Sequence, residues 1–415
     1  MAKKLLLILI LLASNVYLTN AQEKKQSLDF YLQVGIANNP SLKDLQNQQK
    51  SLLYDSLLVR ISRKPQISAN GILLAAPVIN GYGYDEAITN GNTFSAVVGF
   101  SQELLVKRTN KNQYENIHLQ GSSVRNNSQL TRRELKREIT TQFIAAWAAG
   151  VEVVYNDEIL AMLKEQQNIV KQLAGQGLYN TTDYLSMQIE IQTQQINIRQ
   201  RKLEYRQSLF ELNRICGISD TTLYSLAEPT INPIPENPQQ LPFFEQFRID
   251  SLKTMNEIEM TRLKYIPKLS WCADAGLNNT DPSFIHNNFG LSAGLNFSMP
   301  LNSGKQKNIE LSKLGLIEDS RKSYKDFFSK QYQMQVVQIR EQINQCDSLM
   351  AMTEIQIGSY NELIAADRLL MNKGSISMID FISVVRNFIE VRRNRSSLLT
   401  QRLLLLNELS YWLGN

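Results

Sequence analysis

Apolar residues alternate with small or polar ones in the stretch Phe289-Gly-Leu-Ser-Ala-Gly-Leu-Asn-Phe297-Ser-Met299. A period of two puts successive side chains on opposite faces of an extended chain, so this stretch predicts a β-strand with one apolar face. Residues 269–278 alternate in the same way, with Trp271 among the apolar positions. The polar, turn-rich residues 279–288 between the two stretches predict a loop, and hence a hairpin.

A weaker version of this hairpin occurs earlier, around residues 67–75 and 94–102, linked by a Gly- and Tyr-rich stretch. We therefore predict two strand pairs, at about 65–103 and about 267–300. Their lengths match those of tilted membrane strands, whose apolar faces would contact lipid. The predicted lipid-facing residues are Trp271, Phe289, Leu291, Leu295 and Phe297. A soluble, half-buried hairpin would alternate in the same way, so the strands alone leave both interpretations open.

A helical pattern follows each strand pair. The tract from Lys305 to Lys373 is predicted to be one long helix with a heptad seam that has one polar interruption. The seam residues, which step alternately by four and three, are Tyr332, Val336, Ile339, Ile343, Cys346, Met350, Thr353, Ile357, Tyr360 and Ile364. At a rise of about 1.5 Å per residue this tract would extend roughly 100 Å, so it must pack against partners along its length. The chain then turns at Gly374, as it does earlier at Gly177. Each half therefore predicts an antiparallel helical hairpin.

The two halves are predicted to be tandem copies. Asp183 and Asp380 lie 197 positions apart (380 − 183), and two further matches share this offset, Gly217 with Gly414 and Phe100 with Phe297. Five prolines crowd residues 229–242, where a helix cannot continue. The predicted organisation is a first repeat at 22–228, a Pro-rich linker at 229–242 and a second repeat at 243–415.

The first residues indicate export. Lys3 and Lys4 precede the apolar run Leu5–Leu12, and Thr19-Asn20-Ala21 offers small residues to a signal peptidase. We predict a cleaved signal peptide at 1–21 with Gln22 as the mature start. A membrane anchor is the alternative, but the apolar run is short for a spanning helix.

The composition excludes several classes of protein. A formal charge of +5 over 415 residues, with no dense basic block, gives no reason to expect nucleic-acid binding. His118 and His286 are isolated, and no metal, phosphate-loop or nucleophile motif occurs, so we expect no cofactor, no metal and no enzymatic activity. The three cysteines, Cys216, Cys272 and Cys346, are expected to be buried thiols without disulfides.

Four strands are too few to close a membrane barrel, in which every strand edge must be paired. If the strands lie in a bilayer, several copies of the chain must contribute to one barrel. Three copies would supply twelve strands, an even number like those of outer-membrane barrels.

The order of these elements resembles the TolC-like outer membrane efflux protein family. The matching stretches are Ala37-Asn-Asn-Pro40-Ser-Leu42, Pro65-Gln-Ile, Pro267-Lys-Leu, Phe297-Ser-Met-Pro300-Leu-Asn-Ser-Gly304-Lys and the two Gly-to-Asp turns. The resemblance implies a mainly α fold with a membrane β-barrel part. It also implies a homotrimer whose twelve-stranded barrel in the cell outer membrane continues into an α-barrel of long coiled-coil helices in the periplasm.

The function implied by the resemblance is a passive exit duct of a tripartite efflux or type I secretion system. The partners would be a periplasmic membrane-fusion adaptor, an inner-membrane transporter and outer membrane lipid, with no cofactor and no catalysis. The alternative is an exported coiled-coil structural or interaction protein that does not span a membrane; a soluble periplasmic enzyme fits least.

The resemblance also carries over a periplasmic gate at the turns that hold Gly177 and Gly374. Asp380 aligns with a carboxylate at the constriction, and Asp183 is its counterpart in the first repeat. Both aspartates could instead only cap the helices that follow the turns. The chain departs from the family at Ser383 and Ser186, where a second acid is common, and at the latch positions Met371, Ile376 and Tyr179.

Overall fold

The computed structural model describes residues 25–85, 92–104, 107–234, 241–301 and 304–414. The predicted signal peptide at 1–21 and part of the Pro-rich linker lie outside the described residues. The elements, in chain order, are α1 (Leu28–Asn38), α2 (Pro40–Ile61), β1 (Gln66–Ala75), β2 (Asn92–Glu103), α3 (Lys107–Gly175), α4 (Thr181–Cys216), α5 (Pro242–Leu263), β3 (Lys268–Asn279), β4 (Phe289–Ser298), α6 (Gln306–Asn372) and α7 (Met378–Leu413). A short 3-10 helix, Pro282–Asn287, lies between β3 and β4.

The chain divides into two compact units. Of the described residues, those within 25–42, 129–241 and 329–414 form the helical unit, and those within 43–128 and 242–328 form the sheet unit. Each unit contains segments from both predicted repeats, so these units divide the chain differently from the predicted domains. The duplication itself stays a prediction, although the elements of the two halves follow the same order from α2 to α4 and from α5 to α7.

The sheet unit holds one antiparallel sheet of strand order β1-β2-β3-β4. Both predicted strand pairs are present, and the weaker pattern of the first half forms strands as long as those of the second. The central pairing joins the two halves of the chain, with Val98 opposite Ala275. At this pairing Gly276 is required, because a Cβ atom there would lie 2.2 Å from the Ala96 carbonyl oxygen.

The predicted seam of α6 supplies part of the core of the helical unit. The buried seam residues are Tyr332, Ile339, Ile343, Cys346, Ile357 and Ile364. Between Ile357 and Ile364 this seam belongs to a core cluster that also holds Leu163 of α3, Met187 of α4 and Phe381 of α7. Burial of these apolar side chains along one stripe of each helix stabilises helices that are too long to stand alone.

Two glycines end the long helices in the same way. At Gly177, φ is +79°, and at Gly374 it is +66°, a left-handed conformation that costs other residues free energy. After α3 the amide of Leu178 donates to the Leu173 carbonyl, and after α6 the amide of Ser375 donates to the Leu370 carbonyl. These are the hydrogen bonds of a Schellman motif, so the predicted turns at both glycines are confirmed.

The expectation of three buried cysteines was wrong for one of them. Cys216 and Cys346 are buried, whereas Cys272 is exposed. Its strand position places it on the polar face of β3, opposite Gly294 of β4, where no larger side chain covers it. All three thiols are free.

No described helix combines the length and apolarity needed to cross a membrane.

Candidate channel-forming surfaces

The register of the sheet puts the alternating apolar residues of all four strands on one face. Leu295 lies opposite Trp271, Ala273 opposite Phe100, and Ile67 also opposite Phe100. Because directly opposed residues point to the same side of a sheet, these positions form one surface, the apolar sheet face. Its apolar and glycine members are Ile67, Ala69, Gly71, Leu73, Ala75, Phe94, Ala96, Val98, Phe100, Leu269, Trp271, Ala273, Ala275, Leu277, Phe289, Leu291, Ala293, Leu295 and Phe297. Three amide residues near the strand ends, Asn92, Gln102 and Asn279, lie on the same face.

The four predicted lipid-facing residues of β4 are exposed in the single chain. Leu291 has 81% of its surface accessible, and Phe289, Leu295 and Phe297 are similarly open. Trp271 differs, because its indole is half-buried against the Phe100 ring at 4.5 Å between centroids. Its Nε1 donates to Oε1 of Gln102 at 3.2 Å. An exposed apolar surface of this size is rare on a soluble monomer, so something other than water is expected to cover it.

The opposite face of the sheet is mostly polar. Ser292 donates a hydrogen bond from Oγ to Oδ2 of Asp274, at 2.5 Å, across the β3–β4 pair. The hydroxyl and amide residues on this polar sheet face are Gln66, Ser68, Asn70, Thr93, Ser95, Ser101, Ser270, Asn278, Ser292, Asn296 and Ser298. Ile72, Leu74 and Val97 are the apolar exceptions. The sheet therefore has one apolar and one mostly polar face.

Both edges of the sheet lack a partner within the described residues. β1 pairs only with β2, and β4 only with β3. Every residue of these two edge strands is exposed, whereas the central strands are mostly half-buried. Such edges present unpaired backbone donors and acceptors that can pair with another chain.

In the helical unit the two predicted gate turns contact each other. A Cβ atom added to Gly374 would lie 3.4 Å from Cβ of Leu178, which follows Gly177. The buried Tyr179 donates its hydroxyl to the Ile376 carbonyl at 2.9 Å. Burial, assisted by the Asp183 carboxylate, raises the pKa of Tyr179. The latch positions Tyr179, Met371 and Ile376 therefore meet at this point.

Asp183 and Asp380 occupy different environments, although they are counterparts in the repeat. The half-buried Asp183 accepts a hydrogen bond at Oδ2 from the Asn180 amide at 3.0 Å, as in a capping box. At the start of α7 the N-cap residue is Ser377, the counterpart of Asn180, and its Oγ accepts from the Ile379 amide at 3.3 Å. Asp380 is exposed, and within the described residues its carboxylate accepts no hydrogen bond. The structure thus shows a capping bond for Asp183 alone.

An ion pair near these turns was missed by the sequence analysis. Nε of Arg386 lies 3.0 Å from Oε2 of Glu190, whose side chain is only 6% exposed. The neighbouring carboxylate raises the pKa of Arg386. The signal was present, because Met187, Glu190, Ile191 and Gln194 step by three and four along the buried stripe of α4.

A second missed residue, Asp367, occupies a core position of α6. It continues the seam from Ile364 to Met371 and is 6% exposed. Its Oδ2 atom has no hydrogen-bond partner. Burial, and then the nearby Asp380 carboxylate, raise the pKa of Asp367. A raised folded-state pKa means that ionisation weakens the folded state as pH rises through that pKa.

We expect Asp367→Asn to stabilise the protein at neutral pH by about 1 kcal/mol, because an amide avoids the cost of burying a charge without a partner. The gain should shrink as the pH falls through the raised pKa of the wild-type carboxyl, which then becomes protonated. Thermal unfolding of the solubilised protein at several pH values measures this difference. Asp319→Asn, at an exposed site on the same helix, should change stability by less than about 0.5 kcal/mol. An equal gain for both variants at every pH would contradict the prediction.

The described residues contain no cluster of three or more side chains suited to hold a metal ion. His118 and His286 are both exposed.

Comparison with known proteins identifies the fold. No protein-family model matches the chain, and no curated protein matches it at a significant level. Solved structures do match over nearly its whole length. A membrane protein from Pseudomonas aeruginosa has a TM-score of 0.74 at 15% identity, covering 94% of this chain and 90% of that one. CusC, described in terms of transmembrane channel formation, has a TM-score of 0.73 at 14% identity, covering 94% and 93%.

The outer membrane protein VceC from Vibrio cholerae has a TM-score of 0.73 at 12% identity, covering 94% of this chain and 96% of that one. The chain has the fold of outer-membrane channel proteins. The predicted resemblance to the TolC-like channels is thereby confirmed at the level of the fold. Identities this low concern the fold alone, so no residue role is carried across from these structures.

Proposed function

We propose that this protein is a subunit of an outer-membrane channel, a passive exit duct of a tripartite efflux or type I secretion system. The observation that carries the proposal is the four-stranded sheet, which has one exposed apolar face, one polar face and two unpaired edges. A membrane barrel needs this combination, because its outer surface contacts hydrocarbon while its inner surface contacts water.

The dimensions and aromatic residues of the sheet support a membrane location. The strands have 10 or 12 residues, close to the roughly 9–11 that a tilted strand needs to cross the hydrocarbon core. Exposed Tyr82, Tyr84 and Phe284 lie beyond one end of the strands, and Trp271 lies near the other. Aromatic side chains favour the two membrane interfaces, so their distribution fits a sheet that spans a bilayer.

The unpaired edges support assembly from several copies. In hydrocarbon each unpaired backbone group costs several kcal/mol, so β1 of one copy is proposed to pair with β4 of the next. Three copies give twelve strands, and we propose this homotrimer. The long helices would then line a periplasmic α-barrel, with the turns at Gly177 and Gly374 at its mouth and the Asp380 carboxylates facing the axis.

The proposed partners are a periplasmic membrane-fusion adaptor and an inner-membrane transporter, which would open this mouth and supply the transported substance. A coiled-coil protein that never enters a bilayer is the competing function. It would leave the apolar sheet face and both sheet edges exposed to water, which favours aggregation.

Cell fractionation tests the proposal. We expect the protein in the outer membrane, migrating on denaturing gels as a trimer that heat converts to a monomer. The purified protein should produce discrete conductance steps in a planar bilayer. Recovery of a monomer from the soluble periplasm would favour the coiled-coil alternative. A matched sample with Gly276→Val, which would disrupt the β2–β3 pair, should give neither trimer nor conductance.

A further inference from the structure

The two ends of the strands carry opposite charge patterns. The ends that join helices are flanked by basic residues, Arg63 and Lys64 before β1, Lys107 and Arg108 after β2, Lys264 and Lys268 at β3, and Lys305 and Lys307 after β4. The loops at the other ends, residues 76–91 and 280–288, contain no lysine or arginine but include Asp85 and Asp281. Each of the four strand ends on the side of the helices therefore has a basic residue within nine positions, and neither described loop on the other side has one.

Most of these cations have no ionic partner. Arg108 pairs with Glu259 at 2.6 Å, and Lys264 lies 3.9 Å from Glu310. Within the described part of the chain, none of the others makes an ion pair; these are Arg63, Lys64, Lys107, Lys268, Lys305 and Lys307. The same holds for Lys111, one turn further along α3. Positive charge at this level of the sheet unit is therefore available to an external anion.

Three of these cations line one groove of about 480 Å³ between the end of α2 and the start of α3. Arg63, Lys107 and Lys111 provide the positive charge, and Glu115 is the one carboxylate in the lining. Asn110 also lines the groove and is only 5% exposed, yet its Nδ2 donor has no acceptor. A buried donor without a partner costs free energy, which an oxygen atom of a bound anion would recover.

We propose that this groove binds the phosphate of an anionic phospholipid headgroup, of the phosphatidylglycerol type, in the periplasmic leaflet. Asn110 Nδ2 would donate to a phosphate oxygen, while Arg63, Lys107 and Lys111 neutralise its charge. The inference rests on the proposed membrane location of the sheet. The groove lies at the ends of two strands, because Arg63 precedes Gln66 of β1 and Lys107 follows Glu103 of β2. In a sheet that spans the bilayer, the strand ends lie at the depth of the lipid headgroups and not in the hydrocarbon.

The test measures lipid retention by the full-length protein purified into micelles that contain equal phosphatidylglycerol and phosphatidylcholine. Native mass spectrometry should show at least about fivefold more bound phosphatidylglycerol than phosphatidylcholine. The triple variant Arg63→Gln, Lys107→Gln and Lys111→Gln should reduce this ratio to below about twofold. A charge-matched control with Lys50→Gln, Lys164→Gln and Lys171→Gln, at exposed positions outside the groove, should keep it.

A conservative variant, Arg63→Lys with Lys107→Arg and Lys111→Arg, should restore the preference and so separates charge from folding defects. Equal binding of both lipids by the wild type, or a preference that survives the glutamine triple variant, would overturn the proposal. Displacement of the lipid by inorganic phosphate at tenfold excess would overturn the lipid assignment in favour of a free-phosphate site.

Conductance in pure phosphatidylcholine bilayers is recorded in parallel. A conducting protein without lipid preference refutes this inference alone, whereas absence of conductance and of membrane partitioning refutes the proposed function.

Discussion

Leu291→Arg is expected to abolish trimer assembly in the outer membrane. Leu291 is the third of the ten residues of β4, opposite Ala275, and is 81% exposed on the apolar sheet face. If this face contacts lipid, an arginine at this depth, between the interface and the midplane of the bilayer, costs about 1–2 kcal/mol per chain. Three copies of the chain triple that cost, which is a large fraction of the stability of an average domain. Outer-membrane fractions should therefore contain less than about a tenth of the wild-type trimer.

The neighbouring position provides the matched control. Ser292 points to the polar sheet face and hydrogen-bonds with Asp274, so Ser292→Arg would place the same cation in water beside a carboxylate. We expect near-normal trimer and an altered ion selectivity of the conductance. An equal loss of trimer in both variants would mean that the size of the arginine side chain, and not its contact with lipid, prevents assembly. Near-normal amounts of trimer in both variants would show that the apolar sheet face does not contact lipid.

The strands could be predicted from the sequence because alternation over a whole strand is a strong signal that depends only on local geometry. The pairing of β2 with β3 could not be derived in this way. It joins Ser101 to Cys272 across a long stretch of chain, and no local pattern fixes such a contact. The exposure of Cys272 was missed for the same reason, since a strand position does not reveal whether a distant side chain covers it.

The helical seam was also predictable, since its heptad spacing follows from the helix period. The roles of the ionisable residues on the buried stripes were not. Asp367 on α6 and Glu190 on α4 lie at positions where the helical period predicts buried residues, but the period does not say what a buried carboxylate contacts. Only the structure shows that Glu190 has a partner in Arg386 and that Asp367 lies beside Asp380. The two gate aspartates are counterparts in sequence, and only the structure shows that Asp183 accepts a hydrogen bond from the backbone amide of its N-cap residue, Asn180, whereas Asp380 accepts none within the described residues.

Because Asp183 and Asp380 have different environments, we expect their variants to differ in the block of the proposed channel by multivalent cations. Asp380→Asn is expected to raise the half-blocking concentration of a trivalent cation by at least about tenfold, which corresponds to 1.4 kcal/mol of binding free energy. The Asp380 carboxylate is exposed and accepts no hydrogen bond within the described residues. In the proposed trimer three such carboxylates would surround the axis, and a ring of like charges attracts a cation strongly.

Asp183→Asn is the control, because it removes the same charge from the counterpart position of the first repeat. Its carboxylate holds the Asn180 amide at the start of α4, so the variant should lose about 0.5–1 kcal/mol of stability and leave cation block nearly unchanged. Both variants are compared in planar bilayers with the cation added on the side of the helical mouth. If cation block is unchanged in Asp380→Asn, Asp380 does not line the pore. A larger change in cation block in Asp183→Asn than in Asp380→Asn would instead place the constriction at the first turn. The bound cation would then have to replace the Asn180 amide at the Asp183 carboxylate.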